Sequence, residues 1–370
     1  MTPGYDIDVL VAGLGPAGAA AAAAAAEAGA RVLAVDRRTV PGLPVQCAEF
    51  VPMMLGVDTA AVSAARVQDI DTMETYVREA AADVTPDFRG HMIDRAAFDA
   101  ALVEAATRAG AECRFSAPIR NVAQDGLVVL SNGTRLRARI LIGADGPRSV
   151  VGRAAGLPNT DLMETRQITT DLLGQHQATD IFLRPEIEGG YAWLFPKAGV
   201  ANLGLGVVPT KKHLLKPLLD ELHAELVAAR RLGTKIHGHT GGLIPVGGIV
   251  GLAAWLGTTP ILLAGDAAGL VNPITGAGIN AAVLSGRMAG RAAAAFMAGD
   301  SAAPEDYAEE AQDLFGPSID LALARRRNLL AAYAGGQTPT DALLRKSWIA
   351  YSEYWDRTPG PALREVKEPA

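Results

Sequence analysis

The sequence predicts an α/β fold in two lobes. One is a Rossmann-like dinucleotide-binding domain and the other a mixed, largely antiparallel sheet domain, with a C-terminal helical segment after them. Three observations predict this. The chain opens on an apolar run, a glycine turn, an alanine-rich stretch and a second apolar run. Two later apolar runs end on Ala144-Asp145-Gly146 and on Gly265-Asp266. Between them, residues 166–208 carry short pieces with the alternating pattern of strands that have two different faces.

At 370 residues the chain exceeds the size that one core usually serves, so two lobes are expected. Apolar residues make up 49% and charged residues 20%, and the mean hydropathy is +0.17. That is the balance of a globular protein with ample core. The net charge of -6 offers no basic footprint, which argues against a nucleic-acid partner. Two cysteines in so long a chain make no disulfide framework and suit a reducing cytoplasm. The opening MTPGYDIDVLVAG has no charged region ahead of its apolar run, so no secretory signal is expected. The run Ala19–Ala26 is interrupted by Glu27 and Gly29, well short of a membrane span. Peripheral contact with a bilayer stays open.

In chain order, Asp8–Ala12 reads as a buried parallel strand. Gly13-Leu14-Gly15-Pro16-Ala17-Gly18 follows, then the alanine stretch, a strong helix former. A second strand, Arg31–Val35, ends on Asp36. A lone GxGxxG is weak evidence, but strand, glycine turn, helix, strand and acid together are specific. Gly13 allows the tight turn, Gly15 admits a pyrophosphate against the backbone, and Gly18 lets the helix pack on the strand. Pro16 and Ala17 open a helix whose N-terminus faces the phosphates. Asp36, eighteen residues after Gly18, is placed to accept from a ribose hydroxyl. Arg37 and Arg38 next to it raise the alternative of a 2′-phosphate, hence NADP.

Two later segments favour a longer cofactor. LVVLSNGTRLRARILIGADG, residues 127–146, reads as a strand, a turn, a second strand and then Asp145. ILLAGDAAGLVNPITGAGI, residues 261–279, reads as a buried strand, Asp266, and glycines leading into a helix from Ile279 to about Met297. A second acid beside a second glycine-rich helix start reaches what the first motif cannot. It fits FAD, with Asp266 at a ribityl hydroxyl and Gly278-Ile279 near the isoalloxazine, where the helix dipole favours negative charge on a reduced flavin. Together the three segments resemble FAD-dependent oxidoreductases of the para-hydroxybenzoate hydroxylase type, over residues 6–300. The resemblance implies that Arg95, in His91-Met92-Ile93-Asp94-Arg95, touches the flavin chain. It adds Val122 and Asp145 to the cofactor-binding set. Without it, Arg95 reads equally well as an exposed arginine at a helix start.

In Gly189-Gly190-Tyr191-Ala192-Trp193-Leu194-Phe195-Pro196, three aromatics alternate and so project from one strand face. Periodicity alone reads this as core packing. YxWxFP followed by a glycine-rich strand also resembles the geranylgeranyl reductase family. Members of that family carry a cysteine shortly after the second Rossmann strand, where Val45-Gln46-Cys47-Ala48-Glu49-Phe50 lies. The resemblance implies that Cys47 and Ala48 border the flavin ring. Cys47 then gives a proton to a carbon that has just received hydride, or merely packs. It implies a substrate wall of Phe50, Tyr191, Trp193, Phe195 and Pro196. Family members place a glycine within a few residues of the cysteine. Here Ala48, Glu49 and Phe50 follow, so Glu49 is a second candidate acid and Phe50 narrows a tunnel.

Other features read as structural. Cys113 lies at a strand edge, and His237-Gly238-His239 is a loop without the companions of a metal site; no metal is expected. Arg325-Arg326-Arg327 reads as a solvated helix end, or less simply as a contact for phospholipid headgroups. Residues 346–357 place Trp348, Tyr351 and Trp355 on one helical face, and the tail after Thr358 reads as disordered.

The expected organisation is an FAD-binding domain of residues 1–65, 90–165 and 255–300. Residues 66–89 and 166–254 form the substrate-binding sheet domain, and residues 301–370 the C-terminal helical segment. The expected activity is FAD-dependent reduction of C=C bonds in a prenyl-type or other apolar small molecule or lipid. NADPH or another reductant serves as transient electron donor. The alternatives are a flavin-dependent monooxygenase on the same scaffold and a non-enzymatic flavoprotein escort.

Overall fold

A computed structural model describes residues 5–53 and 59–356. In the first lobe, strands Ile7–Ala12, Val32–Val35, Arg135–Gly143 and Thr259–Leu263 run parallel. Ile7–Ala12 lies between Val32–Val35 and Arg135–Gly143, with Thr259–Leu263 beyond the latter and Glu112–Arg114 at the far edge beside Val32–Val35. The chain therefore leaves the first strand to one side and returns on the other. Ligands bind at such a reversal, outside the carboxyl ends of the strands. Gly13, Asp36, Ala144-Asp145 and Gly265-Asp266 all lie at those ends. Cys113 sits on the edge strand, half-buried.

The alanine run forms helix Pro16–Glu27, and most of its residues are buried. A helix apolar all round is a helix covered all round, here by the sheet and by helices Arg95–Arg108 and Ile279–Met297. Its approach to Ile279–Met297 needs glycine. A Cβ on Gly286 would lie 2.1 Å from the Ala17 carbonyl oxygen, and one on Gly290 would lie 2.3 Å from that of Ala21.

The second lobe is an eight-stranded sheet. Its main path runs Leu232–Thr240, Leu162–Leu172, Val200–Val207, Ala192–Lys197, Ala178–Leu183, Thr72–Val77 and Asp83–Thr85, with Leu243–Pro245 also on Leu162–Leu172. Pairing is antiparallel except between Ala178–Leu183 and Thr72–Val77, so the sheet is mixed as expected. Helix Leu215–Ala228 covers one face, packing Leu219, Leu222 and Leu226 on Ala192, Leu194, Leu203 and Leu205. The other face carries Tyr191, Trp193 and Phe195 and packs on the C-terminal segment. A three-stranded sheet of Phe50–Pro52, Gly90–Ile93 and Arg66–Ile70 was not foreseen.

Several expectations are corrected. His237-Gly238-His239 is not a loop but part of strand Leu232–Thr240, and His237 pairs with Asp171 across the sheet at 2.6 Å. Arg325-Arg326-Arg327 is not a helix end: helix Ala303–Ala334 runs on until Gly335. Arg325 and Arg326 are buried there, donating to the carbonyls of Tyr354 and Gly189. Trp348, Tyr351 and Trp355 do not share a helix face. The chain breaks after helix Asp341–Lys346, leaving Trp348 buried and Trp355 exposed around the short turn Ser352–Trp355. The tail after Thr358 lies outside the described residues.

Candidate active site

The glycine turn is built by close contact. Gly13 has φ +95°, and a Cβ there would lie 2.3 Å from the Ala144 carbonyl oxygen. A Cβ on Gly18 would lie 1.9 Å from the Gly13 carbonyl oxygen. Gly15 has open space, with only the Arg38 guanidinium tip at 4.0 Å. Pro16 occupies the first turn of the helix, and no side chain caps its free N–H groups, so they remain available to a phosphate. This cradle fits a dinucleotide pyrophosphate. The Asp36 carboxylate accepts from the Leu14 and Arg38 amides, both at 2.7 Å, so it also locks the turn. Arg37 is exposed, and it is Arg38 that leans toward Gly15.

The two later acids differ. Asp145 is engaged at the start of helix Val150–Ala154, accepting from the Ser149 hydroxyl and, at 2.6 Å, from the Val150 amide. Among the described residues no donor reaches the Asp266 carboxylate. Desolvation lifts its pKa to about 6, with Arg95 pulling the other way. A half-buried, unpaired acid is the acceptor that a flavin chain hydroxyl would satisfy. Asn159 ties the two loops, its side-chain amide donating to the carbonyls of Pro147 at 3.2 Å and Asp266 at 2.9 Å. Gly278 precedes Ile279 at the start of helix Ile279–Met297. Val122 lies in the core of the first lobe.

Val45–Glu49 leaves the first lobe and is fastened to the second. Thr240 donates its hydroxyl to the Val45 carbonyl at 2.5 Å, and Gln46 donates to Gly241 at 3.1 Å. Gln167 donates to the Cys47 carbonyl at 3.2 Å and Asn202 to that of Ala48 at 3.3 Å. The Glu49 carboxylate accepts from Lys197 at 2.8 and 2.9 Å, from Asn202 at 3.0 Å and from the Arg95 amide at 3.0 Å. Glu49 itself sits in the left-handed region, at φ 69°. Its four hydrogen bonds hold a conformation that an L-residue rarely keeps unaided.

The Cys47 thiol meets two donors. The Glu49 amide points at Sγ from 3.2 Å, and the Arg95 guanidinium lies beside it. Arg95 is held by a bidentate pair with fully buried Asp99, at 3.0 and 3.2 Å. It is therefore not an exposed helix-start arginine. Burial alone would lower its pKa, but Asp99 and Cys47 keep it above its ordinary value.

Aromatic rings continue from this loop. Phe50 lies 5.7 Å from both Phe88 and Phe195, Trp193 lies 6.4 Å from Phe195, and Tyr191 lies 5.7 Å from Trp193. Trp348 closes the row, 4.7 Å from Tyr191. The Tyr191 hydroxyl donates to Thr275, in the glycine loop before Ile279, at 2.6 Å. Pro196 follows in the same strand, buried. The row thus runs from the cysteine loop to the second glycine loop.

Sequence reasoning missed Gln167, Lys197 and Asn202, which fasten the loop, and Asp99, which aims Arg95. Asn202 had a visible signal as the one polar residue in the apolar run Val200–Val207. Gln167 stands in a strand already rich in polar residues and had none. It also missed a cluster of Glu74, His176 and Asp180. Arg231 and His176 both take Asp180, which makes this an ion-pair network.

A phosphate cradle and a second, unpaired acid at the carboxyl ends of one parallel sheet, with an aromatic sheet beyond, define a two-lobed flavoprotein. Residues 6–214 match the FAD binding domain family. A digeranylgeranylglycerophospholipid reductase of Methanopyrus kandleri is 36% identical over 313 residues, 78% of this chain and 80% of the relative. Another, from Methanosarcina acetivorans, is 33% identical over 348 residues, 85% of this chain and 83% of the relative. The solved structure of a geranylgeranyl bacteriochlorophyll reductase-like protein from Thermoplasma acidophilum superposes with a TM-score of 0.78 at 24% identity, covering 91% of this chain and 89% of that one. A probable FAD-dependent monooxygenase from Pseudomonas aeruginosa shares the fold, with a TM-score of 0.71 at 19% identity over 92% of this chain and 99% of that one. The chain belongs to the geranylgeranyl reductase family of FAD-dependent oxidoreductases.

Proposed function

We propose that this enzyme saturates carbon–carbon double bonds of a prenyl chain carried on a lipid. The observation that carries the proposal is the place of Cys47. Its loop lies against Arg95 at the mouth of the dinucleotide lobe and is fastened to the sheet that bears the aromatic row. Digeranylgeranylglycerophospholipid reductases covering most of this chain support the substrate class.

When bound and reduced, FAD supplies the hydride. The protein's own share begins with holding it: Asp36 takes a ribose hydroxyl, the Gly13–Gly18 turn takes the pyrophosphate, and Asp266 takes a hydroxyl of the flavin chain. Arg95 reaches that same chain, with Gly278 and Ile279 at the ring. Asp145 holds the neighbouring loop through the Ser149 hydroxyl and the Val150 amide, and Val122 joins the cofactor-binding set by the family resemblance. Tyr191, Trp193, Phe195, Pro196 and Phe50 exclude water and align the prenyl chain. Cys47 gives its proton to the second carbon of the double bond. The thiolate left behind is stabilised by Arg95 and the Glu49 amide and regains a proton from water. Glu49, its carboxylate already taken by Lys197, Asn202 and the Arg95 amide, anchors the loop and gives no proton.

The electron donor is NADPH or another reductant that visits transiently. A lipid substrate brings the protein to a membrane surface from the cytoplasm, and no helix among the described residues is long and apolar enough to cross one. Dithionite-reduced enzyme, incubated anaerobically with a geranylgeranylated glycerophospholipid, is expected to add one hydrogen pair per double bond, read by mass spectrometry. Product formed only with stoichiometric oxygen uptake would overturn the reading in favour of a monooxygenase.

A further inference from the structure

We infer that Gln167 is a positioning residue that couples the aromatic wall to the Cys47 thiol, and that Gly204 is the gap through which the coupling passes. The inference rests on the reading of Cys47 as proton donor. Its geometry stands independently.

Gln167, Gly204 and Trp193 are register partners on three adjacent antiparallel strands, so they share one face of the sheet. The middle position is empty of side chain, and it has to be. A Cβ on Gly204 would lie 2.4 Å from the Trp193 ring and 2.8 Å from the Arg166 carbonyl oxygen. The indole therefore lies across the central strand, and its Nε1–H donates to Gln167 Oε1 at 3.0 Å. The other end of the same amide donates from Nε2 to the Cys47 carbonyl at 3.2 Å.

The orientation of that amide is fixed by chemistry. Indole N–H can only donate and a backbone carbonyl can only accept, so oxygen faces Trp193 and nitrogen faces Cys47. Gln167 is 4% exposed and Trp193 is 5% exposed, and neither has water at hand as a substitute partner. A chain seated against the wall presses on Trp193, Trp193 carries the amide, and the amide carries the Cys47 backbone. Asn202 holds the next carbonyl, that of Ala48, so the displacement turns the cysteine instead of sliding the whole loop. The amide thus sets the reach of the thiol in the empty site, through the two bonds already in place, and a filled wall shifts it.

Three variants in a Cys113→Ser background, tested as FAD-loaded enzyme, check this. Gln167→Glu keeps the acceptor for Trp193 but turns a carboxylate oxygen toward the Cys47 carbonyl. Trp193→Phe keeps the ring and loses the N–H, and Gly204→Ala closes the gap. Two readouts are taken: iodoacetamide alkylation of Cys47 at fixed pH without substrate, and kcat and KM on the geranylgeranylated lipid. Gln167→Glu and Trp193→Phe are each expected to alter the alkylation rate severalfold. Each should lower kcat about tenfold or more, as a misplaced reacting group does, with KM nearly unchanged. The double variant should be no worse than either single, because the two act in series. Wild-type alkylation and kcat in Gln167→Glu, or additive losses in the double variant, overturn the inference, as does lost kcat with unaltered alkylation. Altered alkylation alongside a fully active Cys47→Ser enzyme keeps the coupling and overturns the proton-donor reading. If Gln167→Glu does not fold, Trp193→Phe and Gly204→Ala decide by the same two readouts.

Discussion

Asp36, Asp266 and Cys47 each carry a role that a single substitution exposes. Asp36 locks its own loop and, on the proposed reading, takes a cofactor hydroxyl, so Asp36→Ala should weaken flavin retention and loosen the apoprotein. Each lost charge-assisted bond contributes about 1.5–3 kcal/mol; flavin titration and melting of the apoprotein read the two effects separately. Among the described residues no donor holds the Asp266 carboxylate, so Asp266→Ala should weaken flavin binding without loosening the apoprotein. Its pH behaviour follows from its position. The unfolded carboxyl ionises near 3.8 and the folded one at about 6, so the folded state favours the protonated form. The stability this gives is complete below about pH 4 and is lost as the pH rises through about 6. Apoprotein melting should fall across that window, and Asp266→Asn should flatten the fall. Cys47→Ser should still bind and accept electrons into flavin but saturate substrate about 10²–10⁴-fold more slowly, the share of general acid catalysis, measured anaerobically. The residues legible in the sequence were those that a backbone constraint dictates, such as Gly13 and Gly18. Gln167 and Lys197 answer to partners 120 and 148 residues away, which no local pattern announces, whereas Asp99 stands four residues after Arg95 on one helix, a spacing the sequence did display.

Elements were legible where burial was uniform or strictly alternating. The first strand, the alanine helix and helix Ile279–Met297 came out nearly to the residue. The Tyr191–Phe195 alternation gave both a strand and its face. Polar residues misled where they were in fact buried. Three consecutive arginines read as an end because a buried arginine is rare, yet Arg325 finds the Tyr354 carbonyl and Arg326 that of Gly189. The two histidines of Leu232–Thr240 stand on an exposed edge strand, where side chains need no apolar pattern. The contact between helices Pro16–Glu27 and Ile279–Met297 makes its own prediction. Gly286→Val should destabilise by about 3 kcal/mol, the upper part of the range for overpacking, because the new Cβ falls on the Ala17 carbonyl. Glu27→Gln, at the exposed end of the same helix, should leave a denaturant melt unchanged.

Across the whole molecule, the two lobes meet through the Lys197–Glu49 pair as well as through the loop backbone. Lys197→Met strands the Glu49 carboxylate, buried and without its cation, and should destabilise by about 3 kcal/mol. Adding Glu49→Gln should recover part of that loss in chemical denaturation, because the amide removes the stranded charge, while its single oxygen replaces only one of the two acceptors that Arg95 and Asn202 use. The path of Val45–Glu49 also bears on how this protein can be recombined. The pentapeptide is encoded shortly after the first two strands of the first lobe, yet its side chains and carbonyls answer to Gln167, Lys197, Asn202 and Thr240. A chimera cut at the expected domain border near residue 65 would separate a lock from its key. Inheritance of this reaction is therefore discontinuous along the gene: the cysteine segment has to travel with the sheet from 162 to 240, and a graft that respects sequence order alone brings in a thiol with nothing to hold it.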